Sequence, residues 1–349
     1  MKKTLVALAA IAATSAFADV SITGFIDQAY NRTAVTSAAN ARTSSSNIGS
    51  NAIGQDQITF GITEDMGDGM TAYANIRVKP DVSAGSMAGD VSNVGLKGAF
   101  GNVQFASDYG TTWYTANMSD ASGWGAGAGN VHGPLVGANG SDAIIYTLPT
   151  MVQGLGVTVA SVAGGDVTGK GAGNATAYML SYGIGALNIQ YAGARGKTSS
   201  KAGSLTQWTT SSNVGTNPAT PTTAGSVLED ITAGSTSTQN ALALTYDLGM
   251  AKLYFGTTSG KSGGDADQKA SSSTYGVSIP FGAASIGIAS SSASRTSAAA
   301  VEEKETGYRI LGKYALSKRT TAYVQNGTSK VSGTSRATTS TGLGLTHNF

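Results

Sequence analysis

Charged side chains are scarce in this chain of 349 residues, where Asp, Glu, Lys and Arg make up 12%, so the places they occupy carry information. Asp27, Arg77, Lys79, Lys97, Asp108, Asp247, Lys252, Arg309 and Lys313 stand opposite the apolar positions of alternating runs. The chemistry open to such a set is electrostatic. Charges ranged along one face of a sheet act on the charge and dipole of a passing solute. Covalent chemistry finds less support. The chain has no cysteine for a thiolate site or a disulfide framework. Its two histidines, His132 and His347, are too few for a His-based metal or catalytic cluster. No cofactor or metal is expected. Gly256-Thr-Thr-Ser-Gly-Lys-Ser262 imitates a phosphate loop but has three residues between its glycines where four are needed, and no helical pattern follows. The Gly/Ala run at 125–129 lacks the strand and helix that frame a dinucleotide site. A formal charge of +2 gives no basic footprint for nucleic acid.

The elements that must position these charges repeat with period two, not 3.6. Met70, Ala72, Ala74, Ile76 and Val78 alternate with Thr71, Tyr73, Asn75 and Arg77. Ile58, Phe60 and Ile62 follow the same rule, as do Leu187, Ile189 and Tyr191, and Leu242, Leu244 and Tyr246. The chain ends on Leu343, Leu345, His347 and Phe349. Successive side chains of a strand point to opposite faces, so each run has one apolar face and one polar or glycine-rich face. A Lys or Arg facing lipid near the bilayer midplane costs about 2–4 kcal/mol. Arg77, Lys79, Lys97, Lys252, Arg309 and Lys313 all avoid that face.

The connections mostly alternate in length. Short ones fall at Asp65–Gly69, Phe100–Gly101, Gly183–Gly185, Leu248–Met250 and Leu316–Lys318. Long, aperiodic ones, rich in Ser, Thr, Gly and Ala, fall at Thr33–Asn51, Asp81–Asp90, Asp108–Ser141, Lys197–Gln239, Ser259–Ser272 and Ser294–Glu305. The spacing predicts sixteen strands, from 20–30 to 338–349, with the fifth, starting near Asn102, the shortest. An even count lets strand one pair with strand sixteen, and hydrocarbon makes that closure obligatory. The expected fold is all-β: a transmembrane antiparallel β-barrel with short periplasmic turns and long extracellular loops. Ahead of it, Lys2 and Lys3, the short apolar run Leu5–Ala13 and Ala16-Phe17-Ala18 read as a signal peptide over 1–18. The remaining residues, 19–349, form one barrel domain. Removing two lysines and no acid leaves 20 basic against 20 acidic residues.

Several motifs resemble Gram-negative general porins of the neisserial and betaproteobacterial type. Asp19-Val-Ser-Ile-Thr-Gly-Phe-Ile-Asp27 is similar to their first strand, and Gln57–Met70 to their second strand and turn. Asp142–Pro149 resembles another strand, Tyr314–Thr320 their Tyr-x-Leu-Ser-Lys-Arg-Thr motif, and His347-Asn-Phe349 their terminus. The resemblance implies an outer-membrane homotrimer of sixteen-stranded barrels, each narrowed by its third outer loop. The segment 108–141 is that loop's counterpart, and Gly125-Ala-Gly-Ala-Gly129 would let it pack against the wall. On this reading Asp120 faces the basic wall residues Arg77, Lys97, Arg309 and Lys313 across a water-filled constriction, and Asp108 lines the pore with them. Phe349 would serve as an assembly signal read by the barrel-assembly machinery. Further partners implied are outer-membrane lipids, lipopolysaccharide, and small hydrophilic solutes and ions. Three positions that are basic in the family are Gln57, Ser107 and Ser141 here, which predicts a weaker anion preference than the family's. The competing readings are an outer-membrane barrel enzyme and a secreted all-β adhesin. The first lacks a suitably placed base, and the terminal Phe349 speaks against the second.

Overall fold

The computed structural model describes residues 18–37, 39–49, 56–81, 85–107, 115–116, 118–119, 121, 143–162, 175–197, 236–262, 268–296 and 302–349. Among them are seventeen antiparallel strands. They are β1 (Asp19–Thr36), β2 (Arg42–Gly49), β3 (Gln57–Gly67), β4 (Met70–Asp81), β5 (Ser86–Gly98), β6 (Gly101–Ala106), β7 (Ala143–Thr147), β8 (Leu155–Val162) and β9 (Ala175–Ile184). There follow β10 (Leu187–Lys197), β11 (Thr236–Asp247), β12 (Lys252–Ser262), β13 (Gln268–Phe281), β14 (Ala284–Thr296), β15 (Glu302–Ala315), β16 (Thr320–Val331) and β17 (Ala337–Asn348). β1 pairs with both β2 and β3, each strand from β3 onward pairs with the next, and β17 returns to β1 from Phe25↔Asn348 to Thr36↔Ala337, closing the sheet.

Seventeen strands make sixteen staves, because β2 and β3 share one. β1 pairs with β3 along Asp19–Phe25 and with β2 along Ala29–Thr36. Between them, at Ile26–Gln28, this edge of β1 has no ladder partner among the described residues. In hydrocarbon an unpaired N–H costs several kcal/mol. Asp56 meets the need: its Oδ1 accepts from the Asp27 N–H at 2.6 Å, and its Oδ2 from Gln28 Nε2 at 3.2 Å.

Four expected loops prove to be mostly strand. Thr33–Asn51 contains the end of β1 and all of β2, Asp81–Asp90 the start of β5, Ser259–Ser272 the end of β12 and the start of β13, and Ser294–Glu305 the end of β14 and the start of β15. Among the described residues the shortest strand is β7, with 5 residues, not β6. The reason is common to all four long-loop corrections. Above the membrane both faces of a strand meet water, so the apolar alternation stops while the backbone ladder continues.

The outward face is a continuous apolar band. Val20 (67% exposed), Ile76 (50%), Phe105, Leu180, Leu253, Ile288, Ile310, Val324 and Leu343 (64%) are all open to the surroundings. Exposure on this scale is unsustainable in water and fits a hydrocarbon solvent. Aromatic rings edge the band beside the short turns: Phe100, Tyr146, Tyr182, Tyr246, Phe281, Tyr314 and Phe349. The β3–β4 turn shows the local chemistry. Gly67, Asp68 and Gly69 all take positive φ, and the Asp65 carboxylate accepts from the Gly67 N–H at 2.9 Å.

The closing seam depends on a glycine. Gly24 and Phe349 exchange backbone hydrogen bonds of 2.9 and 3.1 Å. The Phe349 ring lies directly over Gly24, where an added Cβ would come within 2.1 Å of its Cζ. An aromatic side chain thus covers the backbone that a glycine leaves bare.

Candidate functional site: the inner wall of the barrel

Alternation sends Thr71, Tyr73, Asn75, Arg77 and Lys79 of β4 inward, with Lys97 and Asn93 opposite them on β5. These side chains form a hydrogen-bonded layer. Tyr73 Oη donates to Asn102 Oδ1 at 2.8 Å, and Asn75 Nδ2 donates to Asn93 Oδ1 at 3.0 Å. Between Arg77 and Val78 the register slips, so that Arg77 faces Val91 and Val78 faces Gly89. Asp90 is the extra residue of this bulge, and the bulge re-aims its carboxylate. Arg77 Nε and Lys79 Nζ both pair with Asp90. The cationic side chains keep 22% and 28% of their surface in water, against 7% for Asp90. The unit therefore presents net positive charge to the lumen. Lys97, near the β5–β6 turn, is exposed.

Lys313 and Arg309 also point inward, on β15. Lys313 is half-buried, whereas Arg309 is only 1% exposed and donates from Nη2 to Gln325 Oε1 at 2.5 Å. It belongs to a covered network in which the Tyr323 hydroxyl donates to Asp27 Oδ1 at 2.5 Å. Arg309 thus takes the inward face, with its side chain buried within the wall. Asp108, Asp120 and Ser141 lie outside the described residues. Gln57 begins β3, half-buried. Ser107 follows β6 and its hydroxyl accepts from the Ser92 N–H at 2.8 Å.

Part of the segment assigned to the third loop is described, and it is buried: Thr115, Ala116, Ser119 and Ala121. A Cβ on Gly256 of β12 would come within 2.1 Å of Ser119 Oγ, and one on Gly276 of β13 within 2.4 Å of Ala121 Cβ. Both glycines alternate with lipid-facing residues, Leu253 and Tyr275 among them, so these contacts lie on the inner side of the wall. β12 and β13 stand across the barrel from β6, after which the segment begins.

Over β6 to β11 much of the covered inner wall is small and apolar. Ala106, Ala143, Ile145, Ala160 and Ala177 form one buried cluster, and Ala192, Ala241 and Ala243 are buried further round. Sequence reading missed Asp90 and Asp56, because both fall in stretches where the alternation fails. The signal available was the placing of a lone carboxylate one residue out of phase with Arg77 and Lys79.

Comparison with known proteins meets this geometry. The sequence profile of Gram-negative porins matches residues 4–334. The chain belongs to the Gram-negative porin family. No curated protein matches it in sequence. The porin shares its fold with an anion-selective porin from Comamonas acidovorans, at 18% identity and a TM-score of 0.70, covering 95% of this chain and 100% of the other. In-vitro folded OmpT, an outer membrane protein of Vibrio cholerae in a trimer form, matches at 13% identity and a TM-score of 0.69, covering 95% and 99%. OmpF of Salmonella typhi, in complex with daunomycin, matches at 14% and 0.63, covering 95% and 97%. The porin is a multi-pass β-barrel of the outer membrane and a channel for passive diffusion. Family and fold point to a channel rather than an enzyme.

Proposed function

We propose that this channel passes small hydrophilic solutes and ions with a weak bias toward anions. Arg77, Lys79, Lys97 and Lys313 supply the positive side of the lumen, and Asp108 and Asp120 of segment 108–141 supply a facing negative side at a constriction. The observation that carries this reading is the Arg77–Asp90–Lys79 unit, in which two partly exposed cations surround one covered carboxylate. The bias is weak because Asp90 offsets half of that charge, and because Gln57, Ser107 and Ser141 replace basic residues. Low-dielectric walls focus the field of the charges that remain. Arg309, held within its network, contributes to the wall more than to the solute path.

The working form is a homotrimer, as in the trimeric match described above, set among outer-membrane lipids and lipopolysaccharide after loss of residues 1–18. Phe349 is the assembly signal that the barrel-assembly machinery reads. No catalysis accompanies transport. Planar-bilayer recording tests the channel: openings should come in steps of three. Arg77→Glu with Lys97→Glu should move the reversal potential toward cation preference while the barrel still folds. An unchanged potential would remove both residues from the solute path. Deleting Phe349 should lower outer-membrane insertion far more than Asn348→Ser, and equal surface levels would refute the assembly role.

A further inference from the structure

Two tyrosines of the inner wall lie over a glycine of the neighbouring strand, and they differ in what covers them. Tyr323 of β16 lies over Gly344 of β17, where an added Cβ would come within 2.5 Å of its Oη. It is only 2% exposed, and its hydroxyl is committed to Asp27. Tyr73 of β4 lies over its cross-strand partner Gly95 of β5, where a Cβ would come within 2.5 Å of both Cζ and Oη. Its hydroxyl crosses β5 altogether and reaches β6, donating to Asn102 Oδ1 at 2.8 Å, with Gln104 Oε1 at 3.3 Å. The side chain therefore runs sideways along the wall, with its ring laid flat. One face of the ring meets the Gly95 backbone. Tyr73 is only half-buried, so the other face meets the lumen.

The bonds within this layer decide what is left over. Asn102 and Gln104 turn their carbonyl oxygens to Tyr73, and Asn93 turns its own to Asn75 Nδ2. The amino groups of Asn93, Asn102 and Gln104 and the carbonyl of Asn75 make no further hydrogen bond among the described residues. All four residues are half-buried on the inner face. An amide amino group donates twice and an amide carbonyl accepts twice. The wall thus offers uncharged donors and an uncharged acceptor around an open aromatic face. The nearest charges are Arg77, held to Asp90 on the outer side, and Lys97, two residues beyond Gly95 toward the short turn.

We propose that this layer is a station for neutral saccharides passing through the pore, with one face of a pyranose on the Tyr73 ring and its hydroxyls on the amides of Asn75, Asn93, Asn102 and Gln104. A pyranose has a face of C–H groups and a rim of hydroxyls that both donate and accept. The negative face of an aromatic ring attracts the first, and amides with free donors and acceptors match the second. An ion gains little from a layer that carries no charge of its own. A purely apolar solute would strip water from the amides and give them no partner. The inference rests on the channel reading and goes beyond it by naming a solute class and the groups that meet it.

The test is block of single-channel current in planar bilayers by maltotriose, compared with a polyethylene glycol of the same hydrodynamic radius. Maltotriose should block the unmodified porin along a saturating curve. The polymer lacks hydroxyls except at its ends and should lower the current only in proportion to its concentration. Tyr73→Ala should raise the half-blocking concentration of maltotriose about fivefold. Tyr73→Phe keeps the ring and should stay within about twofold of the unmodified protein. Asn102→Ala with Gln104→Ala also keeps the ring, removes two amides, and should raise the value about fivefold. These last two variants decide the matter even where Tyr73→Ala fails to fold. Maltotriose that acts no differently from the polymer would overturn the proposal. So would a half-blocking concentration that Tyr73→Ala or the double amide variant leaves unchanged, or one that Tyr73→Phe raises fully as much as Tyr73→Ala does. Absence of openings in the unmodified porin would count against the channel reading, whereas openings that the sugar does not saturate count against the station alone.

Discussion

On β4 and β5 the inward positions are Thr71, Tyr73, Asn75, Arg77, Asn93 and Lys97, half-buried or exposed. On β7 to β11 the buried inward positions are mostly alanine (Ala143, Ala160, Ala177, Ala192, Ala241 and Ala243, with Ile145), interspersed with Thr158, Gln239 and Thr245. Both stretches obey the same alternation, and both have lipid on the other side. What differs is whether water reaches the inner surface. Where it does, the wall carries amides, hydroxyls and charge. Where the wall is covered it takes two forms: alanine-rich packing over much of β7 to β11, as a packed interface allows, and a hydrogen-bonded polar network around Arg309, Asp27, Tyr323 and Gln325.

The largest effect should come from exchanging the two chemistries. Ala192→Asp or Ala243→Asp would place an unpaired carboxylate where exposure is 0%, at a cost of about 3–5 kcal/mol. Asn75→Asp in the open wall gives up the bond to Asn93 and should cost only about 1 kcal/mol. The temperature at which the folded barrel shifts mobility on a gel measures both. Equal shifts would erase the distinction between the walls.

A smaller effect should follow from crowding the covered side. Gly276→Leu would press on Ala121, which already lies 2.4 Å from the position of a Cβ. Overpacking of this kind costs about 1–3 kcal/mol, and displacing the segment that carries Ala121 should raise single-channel conductance. Gly89→Ala on β5 has open space around it and should alter neither. Conductance that stays the same with Gly276→Leu would show that this segment does not narrow the lumen.

Smaller again are changes of charge on the open side. Asp90→Asn leaves Arg77 and Lys79 uncompensated. A unit charge acting in water at about 7 Å shifts each ion by about 0.6 kcal/mol in opposite directions, and screening over a Debye length of about 8 Å cuts each shift to about 0.25 kcal/mol, which leaves about a twofold gain in anion over cation permeability. Gln57→Arg should add less than twofold in the same direction, since its position is half-buried. Ser107→Arg should add charge but give up the bond from the Ser92 N–H, at about 1 kcal/mol of stability. Reversal potentials rank the three, and a cation-ward shift from Asp90→Asn would contradict the assignment.

The barrel itself was readable because lipid enforces one rule on every strand. Ile76, Leu253, Ile310 and Leu343 had to be apolar, so their partners identified the inner face. The ends of β1, β2 and β5 were not readable, since neither face meets lipid there and the ladder that continues through them leaves no mark on composition. Arg309 shows the limit for the site. Alternation fixed the face its side chain takes, but whether water reaches it depends on neighbours such as Gln325 and Tyr323, from a strand pairing that single-strand periodicity does not encode. Asp90 needed the bulge, a register property of two strands together. The broken stave and its Asp56 bond were hidden for the same reason.

The central claim is that the open wall carries a small net positive charge that solutes feel. The reversal potential of the unmodified porin across a potassium chloride gradient tests it most directly. The predicted result is a modest potential of the sign given by chloride passing more readily than potassium, growing with Asp90→Asn and reversing with Arg77→Glu and Lys97→Glu. A channel almost ideally selective for either ion, or one whose potential ignores all three substitutions, would contradict it.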